Sequence, residues 1–127
     1  MANVVSRGPR QILLALRYSL KGLSAAYRYE ASFRLEAQLF VVLAPLGLWF
    51  GHGPLEKAWL VASLLLVLMA ELLNGAIEAV VDKTTPEFHE LAGRAKDMGS
   101  AAVFLCMVNV VLGYSLILLL PWWAHAV

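Results

Sequence analysis

The chain is most easily read from what it lacks. It contains a single cysteine, Cys106, so no internal disulfide can form, and no metal-ligand spacing surrounds it. Cys106 reads as a small lipid-buried hydrophobe. Charge is also scarce: only 15% of the 127 residues are charged and the formal sum is +1, which excludes a general polyanion binder and with it nucleic acid. There is no GxxxxGKS/T loop and no GxGxxG, so a soluble-type nucleotide fold is excluded. Internal repeats and low-complexity segments are missing too. No short apolar core with a cleavage site precedes the first long apolar run, so no removed signal peptide is expected.

What the chain has instead is hydrophobic length. With 61% apolar residues it reads as an all-α integral membrane protein of one domain, residues 1–127. Residues 37–55 carry no charge, 58–81 form a second run interrupted only by acidic residues, and 98–123 form a third that ends on Pro121, Trp122 and Trp123. At about 1.5 Å of rise per residue, each run crosses a hydrocarbon core of roughly 30 Å. Three spans leave no room for an inverted-repeat transporter within one chain. Of the Lys and Arg residues, six (Arg7, Arg10, Arg17, Lys21, Arg28, Arg34) precede the first span and three (Lys83, Arg94, Lys96) lie between the second and third. The positive-inside rule therefore puts the N-terminus in the cytoplasm and the C-terminus in the periplasm. Residues 7–34 have Ile12, Leu16, Leu20, Leu23 and Tyr27 at helical spacing, with Arg17, Lys21, Ser24 and Arg28 on another face. This pattern predicts an amphipathic helix lying on the membrane surface.

The second span raises the functional question. Glu71, Asn74 and Glu78 are spaced by three and four, so they share one helix face. An ionised group near the bilayer centre costs about 2.5 to 3.5 kcal/mol on insertion scales, and such a cost needs a reason. Seven residues separate the glutamates by about 10 Å along the axis, too far to chelate one ion together, so they should have different tasks. The next connection supplies "DKTTPEFHE", where Thr84 or Thr85 is expected to cap a helix opened by Pro86, and then Lys96 and Asp97. Carboxylates, an amide and a lysine at the water boundary suit a Mg-nucleotide. Blander readings stand beside these: Asn74 as a helix-to-helix hydrogen bond, Lys96 and Asp97 as a snorkelling pair, His89 as a solvated loop residue. Small residues at 99–102 leave the third helix slim where helices approach closely.

The segments "EASFRLE" (30–36), "AELLNGAIEAVVD" (70–82) and "HELAGRAKDMGSAAV" (89–103) resemble the small prokaryotic diacylglycerol kinase family, in particular its Gram-negative type. The resemblance implies a homotrimeric enzyme of the bacterial inner membrane. It would transfer the γ-phosphate of Mg-ATP to diacylglycerol, giving phosphatidic acid, at sites shared between neighbouring subunits. By the same resemblance Glu71 is the catalytic base, and Glu30 and Glu78 are the metal carboxylates. Tyr18, Asn74, Glu87, His89, Lys96 and Asp97 fall at or beside nucleotide-contacting positions; Ser19, Phe33, Arg34, Glu36, Trp49, Glu71 and Ser100 fall on the lipid-substrate side. The family's N-terminal arginine corresponds in register to Gln11, with Arg10 one place away, and Arg10 is the candidate for contact with both substrates. "KTTPEF" departs from the family's loop wording, and beyond Val103 the tail matches only in being apolar. An undecaprenol kinase shares the glutamate stripe and is the nearest rival. An oligomeric proton or ion conduit lined by Glu71 and Glu78 is the rival from another class.

Overall fold

A computed structural model describes residues 8–126, and every described element is helical. Helix α1 covers Pro9–Tyr29, α2 Ala31–Phe50, α3 Pro54–Thr84 and α4 Glu90–Tyr114; a π turn, Ser115–Leu119, then joins α4 to a short α5, Leu120–Ala126. Three rods are long and apolar enough to cross a membrane: Ala31–Phe50, Pro54–Thr84 and the continuous stretch Glu90–Ala126. The three long apolar runs fall largely within these helices, whose ends differ from the expected ones. Pro54, which fits the first turn of a helix because its missing N–H has no partner there, opens α3 and takes Leu55 with it. Gly53, at φ 103°, makes the turn before it.

The segment 7–34 divides. Arg7 lies outside the described residues, and the helix that contains the rest stops at Tyr29. Glu30 is extended (φ −104°, ψ 107°); its N–H donates to the Ala26 carbonyl at 2.8 Å, while its own carbonyl accepts from Arg34 N at 3.1 Å. One residue thus closes α1 and opens α2. Arg34 Nη1 donates to the Tyr27 and Arg28 carbonyls at 3.0 and 3.3 Å, satisfying acceptors that the end of α1 would otherwise leave free. Just beyond the turn, Phe33 is buried to 4% exposure.

The core lies among α2, α3 and α4. Leu60 is fully enclosed, and Ala44, Leu64, Val67 and Val103 are further buried apolar side chains along these helices. A methyl on Gly47 would come within 3.0 Å of Leu60 Cβ and of the Tyr114 hydroxyl, so only glycine allows this approach. The Tyr114 hydroxyl donates to the Leu43 carbonyl at 2.7 Å, two residues before Pro45, where α2 lacks a backbone donor. Most large apolar side chains, among them Val41, Met69, Phe104 and Val111, point outward. Such a surface is matched to lipid rather than water.

The connection after α3 corrects the expected capping. Thr84 Oγ1 donates back to the Val80 carbonyl at 2.7 Å inside α3, and Pro86 holds the chain open instead of starting a helix. Helix α4 begins only at Glu90. His89 is its cap, its Nδ1 accepting from Leu91 N–H at 3.1 Å.

Candidate functional site

Glu71 sits on the inner face of α3 and is only 8% exposed. Glu36, Glu78 and Glu30 lie within electrostatic reach of its carboxylate. Among the described residues no Lys or Arg forms an ion pair with these four groups. Three elements supply the cluster: α3 gives Glu71 and Glu78, α2 gives Glu36, and the α1–α2 elbow gives Glu30. Gly75 completes the approach, because Glu30 Cγ and Cδ lie 3.4 Å from where a Cβ on that residue would stand.

Asn74 links this cluster to α4. Its Nδ2 donates to Glu78 Oε1 at 3.1 Å, while its Oδ1 is buried against Gly99 with no hydrogen-bond partner among the described residues. A Cβ on Gly99 would overlap that oxygen. Asn74 therefore orients the Glu78 carboxylate from within α3, and among the described residues it makes no hydrogen bond to another helix.

Lys96 Nζ binds Asp82 Oδ1 at 2.9 Å and also feels the charge of Glu78. Asp82 is the residue that sequence reasoning left without a role. The signal was its place at the cytoplasm-facing end of the stripe, opposite a lysine across the loop.

The remaining candidates are spread more widely. Arg10, Tyr18 and Ser19 stand exposed on α1; Lys21 Nζ lies 5.9 Å from the Tyr18 ring centroid, and Ser19 Oγ donates to the Ala15 carbonyl at 3.0 Å. Glu87 and His89 occupy the loop before α4, while Asp97 and Ser100 lie on the exposed side of α4. Trp49 is 83% exposed near the end of α2 farthest from Glu30. The structure thus brings together Glu30, Glu36, Glu71, Asn74 and Glu78, with Lys96 nearby through Asp82, and leaves Arg10, Tyr18, Ser19, Trp49, Glu87 and His89 apart from them within one chain.

Three membrane-length helices, with carboxylates that no Lys or Arg pairs among the described residues, define a small helical membrane protein with a polar site on its second span. A sequence profile of prokaryotic diacylglycerol kinase matches residues 17–118. The chain is 42% identical over 125 residues to a diacylglycerol kinase of Escherichia coli K12, covering 98% of both chains. It is 45% identical over 108 residues to one of Haemophilus influenzae, covering 84% of this chain and 92% of the relative. It is 46% identical over 112 residues to one of Pseudomonas aeruginosa, covering 88% and 91%. The chain belongs to the prokaryotic diacylglycerol kinase family and is an enzyme of the bacterial membrane.

Proposed function

We propose that this chain transfers the γ-phosphate of ATP to diacylglycerol, giving phosphatidic acid, with Glu71 as the base and Glu30 and Glu78 as carboxylates for Mg2+. The observation that carries this reading is that Glu30, Glu36 and Glu78 lie within electrostatic reach of Glu71 on an apolar span, with no Lys or Arg paired to them among the described residues. Among the described residues no group of three or more His, Cys, Asp or Glu side chains could hold an ion alone. That pattern fits Mg2+, which is held by one or two carboxylates together with phosphate oxygens rather than by an all-protein cage. When bound, the ion would neutralise phosphate charge.

The protein's own part is positioning and proton transfer. Glu71 is deeper in α3 than Glu78 and meets a hydroxyl arriving from within the leaflet, taking its proton as the oxygen attacks phosphorus. Glu78, held by Asn74, stays at the nucleotide. Lys96 is suited to phosphate as a point charge and would exchange Asp82 for it. Helix α1, apolar on one face and basic on another, would lie on the cytoplasmic surface of the inner membrane, with the C-terminus periplasmic.

The test is phosphate incorporation by the purified protein from Mg-ATP, offering diacylglycerol and undecaprenol in separate reactions. Diacylglycerol is expected to be the better acceptor. A preference for undecaprenol would move the substrate, and no transfer to either would leave the ion-conduit reading.

One carboxylate stripe and three spans are too little to enclose both ATP and a lipid headgroup, so we propose a homotrimer in which subunits share sites. Mixing inactive Glu71→Gln chains with inactive Lys96→Ala chains is expected to restore part of the activity. A monomer with full activity would refute the shared site.

A further inference from the structure

Gly99 is the point where α4 touches Asn74, and three observations meet there. A Cβ on Gly99 would overlap Asn74 Oδ1 and lie 3.3 Å from Asn74 Cγ. That oxygen is buried with no conventional donor. The other end of the same amide donates to Glu78 Oε1 at 3.1 Å. The amide cannot be turned over without setting its oxygen against a carboxylate oxygen, so the orientation follows from charge. The oxygen thus occupies the space that a Cβ would take, which only glycine leaves open. Gly93, earlier in the same helix, has nothing within 4 Å of a built Cβ. The constraint therefore belongs to position 99 and is not general to the glycines of α4.

We propose that Gly99 is a positioning residue of the site: its bare backbone seats the Asn74 amide, which in turn holds the Glu78 carboxylate in its working orientation. A methyl at 99 displaces the amide and frees Glu78. The inference rests on the metal role proposed for Glu78 only where its effect is read as a Mg2+ requirement. The mechanical link from Gly99 to Asn74 to Glu78 stands apart from it.

The experiment uses full-length protein in detergent, labelled with 15N at asparagine side chains, with the Asn74 signal assigned by its loss in Asn74→Ala. Glu78→Gln marks the shift that accompanies a changed partner. Gly99→Ala is expected to move the Asn74 amide signal and to raise the Mg2+ concentration needed for half-maximal rate by about 10- to 100-fold, the usual scale for losing an outer partner of a metal ligand. Gly93→Ala is expected to do neither. In an Asn74→Ala background, Gly99→Ala should add no further change in Mg2+ requirement, since the link is already cut.

An Asn74 signal unmoved by Gly99→Ala overturns the proposal. If Gly99→Ala does not fold, the Asn74→Ala/Gly99→Ala double variant decides. A folded double variant supports the link, and an unfolded one shows that the methyl strikes something other than Asn74 and overturns it. Should the amide signal move while neither Gly99→Ala nor Glu78→Gln changes the Mg2+ requirement, the link holds and the metal role of Glu78 is what fails.

Discussion

Replacing Glu71 by glutamine is expected to reduce turnover by about 10²- to 10⁴-fold, the usual contribution of a positioned general base and equivalent to about 3 to 5 kcal/mol of barrier. Affinity for Mg-ATP should be nearly unchanged. Glutamine keeps the shape of the side chain, so packing on the inner face of α3 survives. Removing one of several mutually repelling carboxylates should leave thermal stability intact or raise it, because Glu36, Glu78 and Glu30 all act on the Glu71 charge. Rate, nucleotide binding and melting temperature measured on one preparation separate this outcome from a folding defect. A variant that lost activity and stability together would show Glu71 to be a structural residue.

The second large effect concerns the metal carboxylates. Glu78→Gln and Glu30→Gln should each weaken Mg-ATP binding and raise the Mg2+ requirement by about tenfold or more, with Mn2+ recovering part of the rate. A titration of rate against both ions at saturating lipid measures this. The two substitutions reach the same end by different routes. Glu78 is on α3 and held by Asn74, whereas Glu30 depends on the α1–α2 elbow that brings it against Gly75. If Glu71→Gln is as metal-rescuable as Glu78→Gln, the separation of the two roles by depth is wrong.

Part of this architecture is written locally in the sequence and part is not. The spans are legible because a charge-free run of membrane length is seldom anything but a membrane helix, and the stripe Glu71, Asn74, Glu78 is legible because helical spacing needs only one helix. The elbow at Glu30 is not. No glycine or proline marks it, and its stabilising contact is Arg34 turning back to the Tyr27 and Arg28 carbonyls, a link no periodicity predicts. Pro86 misled for the opposite reason. Proline suits a first helical turn, but it also disfavours the α conformation in the residue before it; here Thr85 (φ −134°, ψ 71°) ends α3 and His89 is the cap of the next helix. The Lys96–Asp82 pair spans 14 residues across two helices, so only the packing of α3 against α4 reveals it. Glu36 falls on the lipid-substrate side by resemblance; its proximity to Glu71 comes from the packing of α2 against α3.

The π turn at Ser115–Leu119 decides which way the end of the third span presents its aromatic side chains. An uninterrupted α-helix is a screw: the azimuth of any side chain fixes that of every other, so the register of Gly99 would dictate that of the tryptophans. A π turn inserts a step into that thread. Upstream of it, Gly99 and Gly113 keep α4 in phase with Asn74 and Trp59 of α3. Downstream, Trp122 and Trp123 stand exposed, at an azimuth offset by that step from the one the packing of α4 on α3 would give them at the bilayer interface.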